Sequence, residues 1–267
     1  MLRKKLLSAG ILCIILCAAL RLFSSPERRQ LQTLAPALCS RAKTTREEYT
    51  LEGGEENAPV VTVLHGKKPG KSVYVVAGLH GDESAAWQAG NLLKEADLAA
   101  GTLYILSPAN EYGAENGCRT TRSGRDPNRW FGSDTHWDAT LLDNAIALDL
   151  QKKQPDLILD LHEAHENALR APDLHDALGN SIVCYSLDSI GDMVLDFLQE
   201  TESSADFSAP FTLYSSPPAG SLNDYAGRVL GLSAITVETW RGDPPSERVQ
   251  TQLRTVSFFL QDLGMIF

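Results

Sequence analysis

His80 and Glu83 stand three residues apart in the stretch Gly78-Leu79-His80-Gly81-Asp82-Glu83. An imidazole and a carboxylate at that spacing on one turn can converge on a single metal ion. Zinc accepts both ligand types, and a catalytic zinc takes a third protein ligand from elsewhere while leaving one position for water. His162 is the candidate, since it ends the apolar run Leu157-Ile158-Leu159-Asp160-Leu161. A short pair plus a distant strand-end histidine is the ligand pattern of a catalytic zinc site, one Zn2+ per chain. The plain alternative makes His80 and Glu83 ordinary turn residues, which a lone His-x-x-Glu does not exclude. A further carboxylate, Glu238, interrupts Ala234-Ile235-Thr236-Val237, a core-strand pattern. An unpaired buried glutamate is costly, so Glu238 needs either a salt-bridge partner or a chemical task.

The elements around these residues fix where they sit. Ser72 to Ala77 reads as a buried strand and Ala85 to Leu93 as a helix. The glycines between them permit a tight turn. His80 and Glu83 therefore lie at the carboxyl end of a strand, where open α/β sheets place their ligands. Pro59 to Leu64 reads as an edge strand, with Gly66 to Gly70 turning into the next one and His65 at the surface. Thr102 to Leu106 is another strand. Trp137 to Lys153 has the period of an amphipathic helix, with His136 exposed just before it. Ile182 to Ser186 is a strand, Ile190 to Glu200 a helix, and Pro245 to Leu263 a closing helix. The alternation gives an α/β fold, a mixed, largely parallel sheet with helices on both faces. In His162-Glu163-Ala164-His165-Glu166 the histidines are three apart and follow a strand, so the helical zincin motif, which needs them four apart, fails. Glu163 points away from His162 along the strand and is not a ligand. Asp160 shares the His162 face, either as a hydrogen-bond partner of that ring or as a plain strand position. His165 and His175 fall in the following polar loop.

The chain has 267 residues and a net charge of −10, which argues against a nucleic-acid partner. The cysteines beyond the N-terminal run, Cys39, Cys118 and Cys184, show no Cys-x-x-Cys spacing, so neither a zinc ribbon nor a redox pair is signalled. Arg3-Lys4-Lys5 precedes an apolar stretch from Leu6 to Leu20, the pattern of a signal peptide or an uncleaved signal anchor. The expected organisation is a signal segment over 1–23, a polar tether and domain edge over 24–58, and a hydrolase domain over 59–267. Either targeting reading places the domain outside the cytoplasm, secreted or held at the membrane through the N-terminal segment. Arg119, Arg122, Arg125 and Arg129 put four guanidinium groups into eleven residues of a Gly/Pro-containing loop. In an acidic chain that suggests carboxylate recognition, because arginine binds carboxylates bidentately.

His80-Gly81-Asp82-Glu83, Asp126-Pro127-Asn128-Arg129, Asp160-Leu161-His162 and Thr236-Val237-Glu238-Thr239 occur in that order. Together they resemble the zinc carboxypeptidase superfamily, including its succinylglutamate desuccinylase and aspartoacylase group, over roughly residues 60–260. The resemblance implies a zinc carboxypeptidase-like fold and amide hydrolysis, with zinc held by His80, Glu83 and His162 and with Glu238 as general base. It implies that Asn128 and Arg129 hold the free carboxylate of the substrate and that Asp126 bonds the ring of His80. It also implies an arginine that stabilises the oxyanion. Arg119 matches one branch and Arg122 the other, with a narrow preference for Arg122. Tyr214 stands at the spacing of a mobile substrate-binding tyrosine and equally reads as a half-buried strand tyrosine. Tyr225 reads as helix packing, and Leu222-Asn223-Asp224 resembles the floor of a side-chain pocket.

Two enzyme readings follow. One is a carboxypeptidase acting on peptides, favoured by Tyr214 and the export signal. The other is an N-acyl amino-acid deacylase, favoured by the spacing of Arg122 and the compact chain. A non-catalytic zinc- or carboxylate-binding domain is a third, and the presence of Glu238 argues against it.

Overall fold

The computed structural model describes residues 24–40, 42–51, 59–133, 141–171, 173 and 177–267. Its strands are β1 (Thr45–Thr50), β2 (Val60–His65), β3 (Lys68–Ala77), β4 (Ala100–Leu106), β5 (Leu157–Ala164), β6 (Ser181–Cys184), β7 (Thr212–Tyr214) and β8 (Ala234–Trp240). Its helices are α1 (Pro26–Leu34), α2 (Ser84–Leu93), α3 (Glu111–Asn116), α4 (Leu142–Lys153), α5 (Gly191–Ser203), α6 (Leu222–Tyr225) and α7 (Pro245–Asp262). The strands form one sheet in the order β1-β2-β4-β3-β5-β8-β6-β7. The four central strands, β4, β3, β5 and β8, run parallel. β2 joins β4, and β6 joins β8, in the antiparallel sense.

The apolar runs explain the centre. Strands buried on both faces lose the in/out alternation and read as continuous hydrophobic stretches. On β3, Val73, Val75 and Ala77 point to one core, shared with α1, α2, α5 and α7. Tyr74 and Val76 point to the other, shared with α4 and α6. Helices therefore cover both faces, as the sequence implies. β3 is followed by β4 on one side and, after the crossover, by β5 on the other. The strand order reverses there, which opens a crevice beyond the carboxyl end of β3.

Several expectations are corrected. Within the segment expected to be tether and domain edge, Pro26–Leu34 forms α1 and Thr45–Thr50 forms β1. Ser25 caps α1 through its Oγ, which accepts from Arg28 N–H. Leu31 and Leu38 are fully buried in the core beneath α2 and α7. The polar helix surface hides the Leu31, Leu34 and Leu38 stripe in the sequence. β2 is not an edge strand, because β1 pairs along its whole length. The charged Thr-Arg-Glu-Glu-Tyr-Thr strand is itself the edge, as edge strands are when they resist pairing with another chain. The turn expected at Lys68-Pro69-Gly70 is the irregular start of β3. A short helix not read from the sequence, α3, follows β4 and is capped by Asn110 Oδ1 accepting from Gly113 N–H. The first turn of the helix expected from Trp137, together with His136 and His175, lies outside the described residues, as does the N-terminal signal segment. Among the described residues no helix is long and apolar enough to cross a membrane, and Cys39, Cys118 and Cys184 are unpaired.

Truncating Leu31 tests whether the N-terminal helix belongs to the domain. Leu31→Ala should lower unfolding free energy by about 2–5 kcal/mol in chemical denaturation, the range for a fully buried leucine. A tether residue would leave the transition where it is.

Candidate metal centre

The ligand turn leaves β3 through Gly78, whose φ of 78° lies in the left-handed region that favours glycine. Gly81 is required for a different reason. A Cβ there would lie 1.9 Å from the carbonyl carbon of Gly113, so the turn rests directly on the backbone of α3. His80 and Glu83 then face the end of β5, where His162 projects. All three are buried, and one ligand atom from each lies within 4.8 Å of the others.

Glu83 is the hub. His80 Nδ1 lies 2.8 Å from its Oε1, and His162 Nδ1 lies 2.8 Å from its Oε2. Burial alone would raise the Glu83 carboxyl, but the two imidazoles reverse this and hold it well below the ordinary carboxylate range. For His162 burial would lower the pKa, and the charges of Asp160 and Glu83 outweigh it and raise it. A carboxylate flanked by two Nδ1 atoms needs a proton in each contact. A cation can replace both protons, which is how a metal binds such a set. The donors, two imidazole nitrogens and a carboxylate, suit zinc.

The far side of each ring is also engaged. His80 Nε2 lies 3.1 Å from Asp126 Oδ1, the contact the sequence implies. Asp126 is held well below the ordinary range against the effect of its burial, by His80 and then Arg119. Asp160 Oδ1 lies 3.0 Å from His162 Nε2, yet neither Asp160 oxygen has hydrogen-bond geometry to a described residue. The tautomer that frees Nδ1 of His162 for a metal puts the proton on Nε2, beside this buried carboxylate. Asn128 Nδ2 is also 3.2 Å from that Nε2.

Glu238 lies one strand away. The β5–β8 register sets His162 opposite Glu238. Asp160 and His162 share a face of β5 with core residue Ile158, and Glu238 shares the corresponding face of β8 with Ala234. Burial pushes the Glu238 carboxyl up to about 8, the charge of His162 opposing and those of Glu83 and Asp160 adding to it. It would fall again beside a cation.

The arginines separate. Arg119 Nε donates to Asp126 Oδ2 at 2.9 Å, and its Nη1 reaches Glu83 Oε1 at 3.4 Å. Its side chain remains 40% exposed, so it can still meet a ligand in the crevice. Arg122 stands over the Tyr112 ring, 4.9 Å from its centroid. Arg119 is thus the one of the two seen against the Glu83 carboxylate. Arg125 pairs with Asp143, and exposed Arg129 donates to the carbonyl of Asn128. Asn128 is pinned, since its Oδ1 accepts from Leu222 N–H at 2.7 Å. That contact ties the arginine loop to the expected pocket floor. Tyr214 is half-buried on β7 and its hydroxyl donates to Ala177 O. Tyr225 is buried against Phe131, as expected of a packing residue.

Sequence reasoning missed a supporting set. Glu83 occupies the cap position of α2 but makes no capping bond. Glu163 makes it instead, as its Oε2 accepts from Ala85 N–H at 2.9 Å. In return Glu163 N–H donates to Glu83 Oε2 at 2.9 Å. This reciprocal exchange resembles a capping box shared between the start of α2 and strand β5, and it leaves the Glu83 carboxylate facing the histidines. Glu163 also pairs with Arg248 of α7, while Gln252 donates to the His162 carbonyl. Glu163 lies outside the group formed by His80, Glu83 and His162. Its buried charge on an apolar strand was the available signal for a supporting role.

The sequence profile of the succinylglutamate desuccinylase/aspartoacylase catalytic domain matches residues 69–261. The chain belongs to that family. Among curated proteins no match is found. Among solved structures, the cell shape determinant protein Csd4 from Helicobacter pylori is 17% identical with a TM-score of 0.62, covering 84% of this chain and 55% of that one. An aspartoacylase family protein from Mesorhizobium loti is 19% identical with a TM-score of 0.59, covering 85% and 69%. A succinylglutamate desuccinylase/aspartoacylase from Rhodobacter sphaeroides is 20% identical with a TM-score of 0.57, covering 85% and 67%. This family member thus shares their fold and spans about half the length of Csd4. Within it, the exchange between Glu83 and Glu163 can be tested directly. Glu163→Ala should weaken metal binding about 10- to 100-fold in titrations of the full chain. Glu163→Gln, which keeps an acceptor for Ala85 N–H, should retain most of the affinity.

Proposed function

We propose that this protein is a zinc-dependent hydrolase that cleaves an amide bond beside a free carboxylate of a peptide, in the manner of a carboxypeptidase. The observation that carries the reading is the buried His80, Glu83 and His162 set with Glu238 in register beside His162. Zinc bound by the three ligands would supply Lewis acidity and activate a water molecule as nucleophile. Glu238 would accept a proton at its carboxylate as water adds to the carbonyl carbon, and would deliver it to the amine nitrogen as the C–N bond breaks. Arg119, exposed beside Glu83, stabilises the negative charge that develops on the carbonyl oxygen. Asp126 and Asp160 hold the two imidazoles in orientation. Asn128 and Arg129 line the loop beside the ligands and would hold the substrate carboxylate, with Arg129 free to swing from its own backbone contact.

The family match favours a second reading, an N-acyl amino-acid deacylase with the same residue roles. The peptide reading draws support from Csd4, a D,L-carboxypeptidase of similar fold whose structure has been determined with mDAP and with a tripeptide bound. The basic-then-apolar N-terminal segment supports a location outside the cytoplasm, secreted or held at the membrane.

Elemental analysis should find one zinc per chain in the wild type and none in His80→Ala. Glu238→Gln should keep its zinc and lose about 10²- to 10⁴-fold in kcat on whichever class, C-terminal peptides or N-acyl amino acids, the wild type hydrolyses. Unchanged activity in Glu238→Gln would refute the catalytic role. In the same assay Arg119→Lys should lower kcat about 10²- to 10³-fold, and Arg122→Lys should cost far less. The opposite order would return the oxyanion role to Arg122.

A further inference from the structure

Arg241 follows β8 directly, three residues beyond Glu238, and its backbone N–H donates to Ala164 O at the end of β5. Its side chain turns to the ligand turn. One nitrogen, Nη2, lies 3.0 Å from Asp82 Oδ2 and 3.7 Å from Glu83 Oε1. The side chain is 18% exposed, so this pairing is largely shielded from water and from screening by salt. Oε1 of Glu83 is thus approached by His80 Nδ1, by Arg119 from the loop and by Arg241 from the end of the base-bearing strand.

We infer that Arg241 and Asp82 form a clasp that positions Glu83 for the metal and fixes the ligand turn against the strand carrying Glu238. This rests on the zinc reading above. Two features of the geometry carry it. Asp82 is adjacent to Glu83, so restraining its carboxylate restrains the backbone of the ligand. Arg241 is anchored at both ends, by its backbone on β5 and by its guanidinium on Asp82. Without Arg241, the Asp82 carboxylate loses its cation at a place where its Oδ1 is already buried with no hydrogen-bond partner among the described residues. Arg241 also places a cation beside the carboxylates of Asp82 and Glu83. It acts through Glu83 and is a positioning residue.

The test is zinc affinity of the full chain, measured by competition with a chromophoric chelator, together with thermal melting without metal. Arg241→Gln and Asp82→Asn should each bind zinc about 10- to 100-fold more weakly. The double variant should be no worse than the weaker single variant, because the two residues act as one unit. Arg241→Lys should recover to within about threefold of wild type, since a single nitrogen makes both contacts. Metal-free melting temperatures should stay within roughly 4 °C of wild type. Wild-type zinc affinity in Arg241→Gln, or losses that add in the double variant, would overturn the clasp. So would a raised KM with zinc affinity intact, which would make Arg241 a substrate contact. Loss of zinc binding together with a collapse of the metal-free melting temperature in all variants, Arg241→Lys included, would reduce Arg241 to a structural strut. A wild-type chain that binds no zinc would instead sink the hydrolase reading itself.

Discussion

A carboxylate with almost no access to water, that of Glu83, sets the terms for this site. Taking a charge out of water costs several kcal/mol unless other groups compensate it. Here both oxygens are compensated. Oε1 meets His80, Arg119 and Arg241, and Oε2 meets His162 and the Glu163 N–H. Those groups come from the turn after β3, the arginine loop, the ends of β5 and β8, and the register between them. The cap of α2 is part of the same arrangement, because a glutamate used as a ligand cannot also cap its own helix. Glu163 takes over that duty from the neighbouring strand.

The parallel sheet makes this convergence possible. Parallel strands end together, so β3, β5 and β8 deliver His80 with Glu83, His162 and Glu238 to one crevice. Ladder hydrogen bonds hold His162 and Glu238 opposite each other more firmly than any loop could. The groups assigned to the substrate are carried differently. Arg119, Asn128 and Arg129 ride on an irregular segment that is stapled to the start of α6 through Leu222. The site therefore has a rigid, strand-borne half that could hold a cation and a loop-borne half that carries the arginines.

The parts that were legible in the sequence are those whose local signal is strong. β3, β5 and β8 are buried on both faces and read as apolar runs. His162 and Glu238 stand out because they break or end such runs. α1 and β1 were not legible as parts of the domain. Leu31 and Leu38 are sparse in a polar segment, and the charges of β1 face solvent. α3 was hidden because a short helix capped by an asparagine looks like a turn. The choice between Arg119 and Arg122 was open for another reason. Spacing along a loop carries no direction, and a guanidinium at the end of a long side chain can reach several places.

By itself, then, the sequence determined the α/β class and the strand ends that carry His80, Glu83, His162 and Glu238. These follow from residue identity and short-range periodicity. Tertiary structure alone decided that Glu163 caps α2, that Asp160 lies behind His162, that Arg119 rather than Arg122 touches the ligand carboxylate, and that Arg241 clasps Asp82. Each of these depends on side chains whose partners lie far away along the chain. A buried charge is neutralised by whatever the fold brings within about 3–4 Å of it, and neither periodicity nor spacing encodes that distance.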